Sequence, residues 1–182
     1  MLRENPQTIY LKDYRPPAFL IDSVDLRFDL DDENTRVRSR LELRRNPAAE
    51  SQDSVLRLDG EQLELLAINM DGKPLGEGDY RVDSEGLTLS GVPDRFRLET
   101  DVLIHPAANT ALEGLYRSGP MLCTQCEAEG FRTITYYLDR PDVMARFRTT
   151  LVADPRRYPV LLSNGNSVDN RELDDGRHLA TW

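Results

Sequence analysis

With 182 residues, 39% of them hydrophobic and 30% charged, the chain can bury one sizeable core and is too apolar to be disordered. A formal net charge of −9 argues against a nucleic-acid or anionic-membrane partner, because both want a basic patch. No run approaches the ~18 apolar residues of a membrane span, and Met1-Leu2-Arg3-Glu4-Asn5-Pro6 has no apolar core of signal-peptide length, so a cytoplasmic protein that spans no membrane is expected.

Residues 1–19 read as an extended lead-in, with Pro16-Pro17 excluding a regular helix. From Ile21 the period is two. Val24, Leu26, Phe28 and Leu30 fall on one face and Asp25, Arg27 and Asp29 on the other. Asp31-Asp32-Glu33-Asn34 makes a turn. Alternation resumes with Val37, Leu41 and Leu43 inward and Arg36, Arg38, Arg40 and Glu42 outward, which predicts an antiparallel pair. Strands follow at Val55 to Leu58 and Leu63 to Met70. Each stops at an Asp-Gly pair, Asp59-Gly60 and Asp71-Gly72, a hairpin signal. Further strands are expected at 80–82, 87–89, 96–104, 147–152, 160–162, 167–173 and 177–182, with turns at Asn164-Gly165 and Asp175-Gly176. The one helix expected is short, from Pro141 to Ala145 after Asp139-Arg140. The fold class is therefore all-β, as two antiparallel sheets packed face to face or a strongly curved saddle. The strand pattern running into Trp182 reads as a fragment cut near a domain boundary.

The stretch from Cys123 to Phe147 departs from this alternation. After a small-residue loop, Leu115 to Pro120, it gathers Gln125, Glu127, Glu129 and a Cys-x-x-Cys pair, then an apolar and aromatic run from Phe131 to Leu138. Cys123 and Cys126 are half of a structural zinc site at most, and no second pair exists. Small packing residues are the better reading. Gln125, Glu127 and Glu129 form an acceptor cluster that suits a cation such as a substrate ammonium, or else a solvated loop bridged to Arg132 and Arg140. His105 and His178 read as capping or structural residues. No nucleophile elbow, phosphate loop or His-Glu-x-x-His is present.

Three blocks change those odds: Asn109 to Gly119, Cys123 to Arg132, and Tyr136-Tyr137-Leu138-Asp139-Arg140-Pro141-Asp142-Val143. With Tyr14-Arg15-Pro16-Pro17 and Tyr158 to Asn166, they resemble the N-terminal domain of the bacterial aminopeptidase N branch of the M1 family of zinc metallopeptidases, the gluzincins. The resemblance implies a β-saddle over residues 1–182, followed in the parent enzyme by a thermolysin-like catalytic domain, a small β domain and a helical domain. It implies Zn2+ in the parent and none bound by this stretch, because the zinc motif belongs to the catalytic domain. Glu127 matches the glutamate that binds the substrate's free α-ammonium, and Gln125 the glutamine lining the pocket for the first side chain. No catalytic residue or metal ligand is implied here. The implied partners are peptides with a free N-terminus and the catalytic domain of the same chain. Asp139-Arg140-Pro141 departs from the Asp-Glu-Pro common in the wider family. The alternatives are a stand-alone β-sandwich module binding protein or carbohydrate, and a redox or metal protein using Cys123 and Cys126.

Overall fold

The computed structural model of the chain describes residues 10–50 and 53–182, so the first part of the expected lead-in lies outside the described residues. Within the lead-in, Leu11–Asp13 forms a single 3-10 turn and Tyr14 returns to extended geometry. Strand β1 (Phe19–Asp29) pairs antiparallel with β2 (Thr35–Arg45). The pairing register shifts between Ile21 and Ser23, and this bulge lets Ile21 and Val24 both face the core, which strict alternation would forbid. On β2, Val37, Leu41 and Leu43 are buried, while Arg36 pairs outward with Asp101 at 2.5 Å and Arg40 with Asp25 at 2.8 Å.

The chain continues through β3 (Val55–Asp59), β4 (Glu64–Met70), β5 (Lys73–Pro74), β6 (Tyr80–Asp83), β7 (Gly86–Ser90) and β8 (Arg95–Ile104). Then come β9 (Gly114–Ser118), β10 (Met121–Gln125), β11 (Arg146–Ala153), β12 (Asp169–Glu172) and β13 (His178–Thr181). The described strands form an eight-stranded sheet in the order β12-β13-β11-β1-β2-β8-β4-β5, a three-stranded sheet β3-β7-β6 and a β9-β10 ribbon. The two larger sheets share one core. Val24, Leu26, Leu41, Leu98 and Val102 from the first pack in the same cluster as Leu56, Leu58, Leu87 and Leu89 from the second. Burying side chains of this size contributes on the order of 1.5–3 kcal/mol each. The all-β, face-to-face architecture is as expected, with one addition: β11 runs parallel to β1.

Several local expectations fail, each for a physical reason. Pro141 to Ala145 is not a helix. A single turn closes from Val143 N–H to the Arg140 carbonyl at 3.2 Å, and the chain then extends into β11. So few residues form no helical nucleus of their own. Arg140 spends its guanidinium on Asp142 at 2.8–2.9 Å, and Tyr14 donates to the same carboxylate. Val160 to Leu162 forms no strand. Val160 and Leu162 are 69% and 79% exposed, and a lone extended segment without a partner strand gains no ladder. Asp59-Gly60 does not turn β3 into β4, for β3 pairs with β7, and Asp59 bridges Tyr137 instead. Much of the expected polar loop is the β9-β10 hairpin, turned at Gly119-Pro120.

Candidate functional site

The hairpin sets the geometry of the polar stretch. Met121 pairs with Ser118, Cys123 with Tyr116 and Gln125 with Gly114, so Gln125 ends the ladder and the chain leaves it at Cys126. Two glycines make the closure possible. Gly114 lies at φ +69°, and a Cβ there would overlap the Thr133 hydroxyl. A Cβ on Gly130 would sit 2.8 Å from the Gln125 carbonyl oxygen and 3.0 Å from Cys126 Cα. Gly130 N–H donates to the Cys126 carbonyl at 3.0 Å, and the Thr133 hydroxyl donates to the Gly130 carbonyl at 2.9 Å. Asn109 Nδ2 braces the other side, donating to the carbonyls of Glu113 (2.7 Å) and Leu115 (2.9 Å).

Between these ties, Glu127, Ala128 and Glu129 face solvent. The Gln125 amide donates to the Glu127 backbone carbonyl at 3.1 Å, joining the two expected site residues on one loop. The Glu127 carboxylate itself has no partner among the described residues. Glu129 lies within 3.7 Å of Arg132, as the solvated-loop reading expected, whereas Arg140 pairs with Asp142 rather than with this cluster. Behind the loop, Arg132 and Asp139 meet at 3.0 Å with only 13% and 11% of their side chains exposed. The sequence pattern marks neither this pairing nor the ties made by Thr133 and Asn109. A Gly-Pro dipeptide between Leu115-Tyr116 and Leu122-Cys123 is the signal that could have revealed the hairpin.

Cys126 packs rather than reacts. Cys126 lies against the core, and burial, with Asp139 adding to it, pushes its thiol up to about 11. A thiol held protonated is a poor zinc ligand or nucleophile. Among the described residues no group of three His, Cys, Asp or Glu side chains could hold a metal ion, so the residues present do not fit a zinc site. His105 is exposed, with Nδ1 at 2.8 Å from the Glu33 carbonyl, and holds the β1-β2 turn. His178 lies on β13, its Nε2 buried without a partner among the described residues.

What this arrangement offers is an exposed carboxylate on a loop braced by a hairpin and a largely buried ion pair, beside a primary amide. An ionised carboxylate beside an amide oxygen has the chemistry that suits a cationic group. The comparison with known proteins supplies the context: residues 19–182 match the peptidase M1 N-terminal domain. The chain belongs to that family.

Aminopeptidase N of Caulobacter vibrioides is 50% identical over 182 residues, covering 100% of this chain and 21% of that protein. Aminopeptidase N of Escherichia coli is 49% identical over 181 residues, covering 100% of this chain and 20% of that one. This M1 N-terminal domain thus spans about a fifth of the length of the curated relatives it matches. Among solved structures, Legionella pneumophila aminopeptidase A in complex with aspartic acid superposes with a TM-score of 0.90 at 34% identity, over 94% of this chain and 20% of that one. An M1 zinc metallopeptidase from Deinococcus radiodurans shares the fold with a TM-score of 0.75 at 15% identity, over 92% of this chain and 39% of that one. Among the described residues no helix is long and apolar enough to cross a membrane.

Proposed function

We propose that this domain is the substrate-gating part of a zinc-dependent aminopeptidase that removes N-terminal amino acids from peptides. In this reading Glu127 binds the substrate's α-ammonium and Gln125 lines the pocket for the first side chain. The zinc and the groups that act on the scissile bond belong to a catalytic domain elsewhere in the parent chain, and the domain alone hydrolyses nothing. The observation that carries the reading is the Glu127 carboxylate: exposed and without a partner among the described residues, on a loop tied at both ends. Exposure and the lack of a partner leave this carboxylate available to a cation that arrives from outside, and the ties on either side of the loop, rather than the missing partner alone, set it apart from other exposed acids of the domain.

The physics fits an exopeptidase. Such an enzyme must measure from the charged end of its substrate, and a carboxylate at a set distance from the reacting centre does so by position. Closure of a second domain over the loop would strip water from the pair and strengthen it. Truncating one partner of a desolvated ion pair costs about 2–5 kcal/mol, and each ~1.4 kcal/mol is tenfold. The test is Glu127→Ala in the full-length chain containing this domain, assayed on aminoacyl substrates. A loss of roughly 30-fold or more in kcat/KM is expected. Unchanged kcat/KM on substrates with a free amino terminus would sink the reading.

A further inference from the structure

The loop that presents Glu127 is held on its C-terminal side by one guanidinium. Arg132 Nε and the Arg132 backbone N–H both donate to a single oxygen of Asp139, at 3.0 and 3.1 Å. Nη2 donates to the Asp139 backbone carbonyl at 3.2 Å and lies 3.7 Å from Glu129, while Nη1 lies 3.9 Å from Glu61. The Arg132 carbonyl accepts from Glu61 N–H at 3.0 Å, and Asp139 N–H donates to the Asp59 carboxylate at 3.0 Å. The foot of the loop is thereby fixed to the end of β3 by two routes, one through Glu61 and one through Asp139 and Asp59.

The chemistry explains why arginine stands here. A planar fork of five donors can reach a carboxylate, a carbonyl and a second acid at once, and a lysine ammonium on a flexible stem cannot. With most of its side chain buried, the guanidinium acts in a medium where these contacts are stronger than at an exposed surface. It also reaches Glu129, which holds a left-handed backbone conformation at φ +69° two residues beyond Glu127. The Thr133 hydroxyl, donating to the Gly130 carbonyl at 2.9 Å, ties the loop's end to the same segment, but it does not reach Glu129 or Asp139 as Arg132 does.

We propose that Arg132 is a positioning residue for substrate: through Asp139 and Glu129 it fixes where the Glu127 carboxylate sits. This rests on the reading of Glu127 as the α-ammonium site. Arg132 touches no substrate; it sets the distance at which the ammonium is caught.

The experiment uses the full-length chain containing this domain, with Arg132→Gln, Arg132→Lys, Glu127→Gln and the Arg132→Gln/Glu127→Gln double variant. Arg132→Gln is expected to lower kcat/KM about tenfold, mostly through KM, and Arg132→Lys to recover part of that loss. In the Glu127→Gln background, Arg132→Gln should add less than about twofold, because residues acting through one group are not additive. Hydrogen exchange provides a readout without activity: amides of residues 126–132 should exchange at least about tenfold faster in Arg132→Gln, with β1, β2 and β8 unchanged. Additive costs in the double variant, or unaltered exchange in the loop, would overturn the proposal. If Glu127→Gln alone leaves kcat/KM unchanged, the α-ammonium reading falls and this proposal with it. If Glu127→Gln is costly and Arg132→Gln is not, only the positioning role falls.

Discussion

Tyr137 shows how single side chains here are fitted by shape before polarity. Its ring meets Phe131 at 4.9 Å and Phe147 at 6.2 Å, yet its hydroxyl is buried with no partner among the described residues. A buried polar group left unpaired costs about 1–3 kcal/mol, and removing it while keeping the ring removes that cost. Tyr137→Phe is therefore expected to be neutral or stabilising by about 1 kcal/mol, a rise of some 2–4 °C in Tm for a chain of this size. A fall in Tm of several degrees would mean that the hydroxyl has a partner in solution. Legibility at this level was uneven. Gln125 and Glu127 stood out in the sequence because acids and amides clustered within a few residues, and a resemblance assigned them roles. Arg132 read only as a partner for that acidic cluster, and its pairing with Asp139 was not foreseen. Their pairing depends on the turn between them returning the chain on itself, which residue spacing does not encode.

The β9-β10 ribbon and its loop form one element, and backbone proximity decides its shape. Gly130 is the point that can yield least, because its neighbours there are backbone atoms that cannot rotate away as a side chain would. Gly130→Ala must widen the mouth of the hairpin, so a loss of about 1–3 kcal/mol in stability is expected, as for overpacking a core. Because Gln125 and Cys126 are displaced, the proposed role of the loop predicts that KM of the full-length chain for aminoacyl substrates rises along with the fall in Tm. A variant with wild-type Tm and KM would show that the closure is loose. The long strands β1, β2 and β8 were plain in the sequence, since alternation over many residues leaves little choice of face. Short elements were read unevenly: β3, β6 and β7 lie where alternation between turn signals put them, and two others do not form. Val160 to Leu162 has strand-like composition but no neighbour to pair with, and Pro141 to Ala145 has a helix-start signature but too few residues to nucleate.

Across the whole molecule, pairing partners were less legible than strands, because a period of two says which face is buried and not which strand lies alongside. The β1-β11 pair is parallel and joins Val24 to Phe147, distant segments whose meeting follows from the shared core. That core also sets the response to alkali. Burial, with Asp139 adding to it, raises Tyr137 from 10.0 to about 12. Burial together with the Asp32 hydrogen bond raises Tyr158 from 10.0 to about 12, and burial raises Cys126 from 9.0 to about 11. In each case the folded chain keeps its proton at a pH where the unfolded chain has lost it. The unfolded state then binds fewer protons, so stability falls as pH rises. The contribution is complete below the unfolded values of 9.0 and 10.0 and is gone above the folded values of about 11 and about 12. Each group changes the unfolding free energy by at most about 1.4 kcal/mol per pH unit within its window. Denaturant titrations between about pH 8 and about pH 11 should therefore show stability declining from about pH 9 upward. In a Tyr137→Phe/Cys126→Ala variant that decline should be shallower, with Tyr158 and Tyr136, which burial also raises, carrying what remains. An equal slope in the variant would mean that Tyr137 and Cys126 titrate in the folded chain as they do in the unfolded one, and that the space behind the Glu127 loop is open to water.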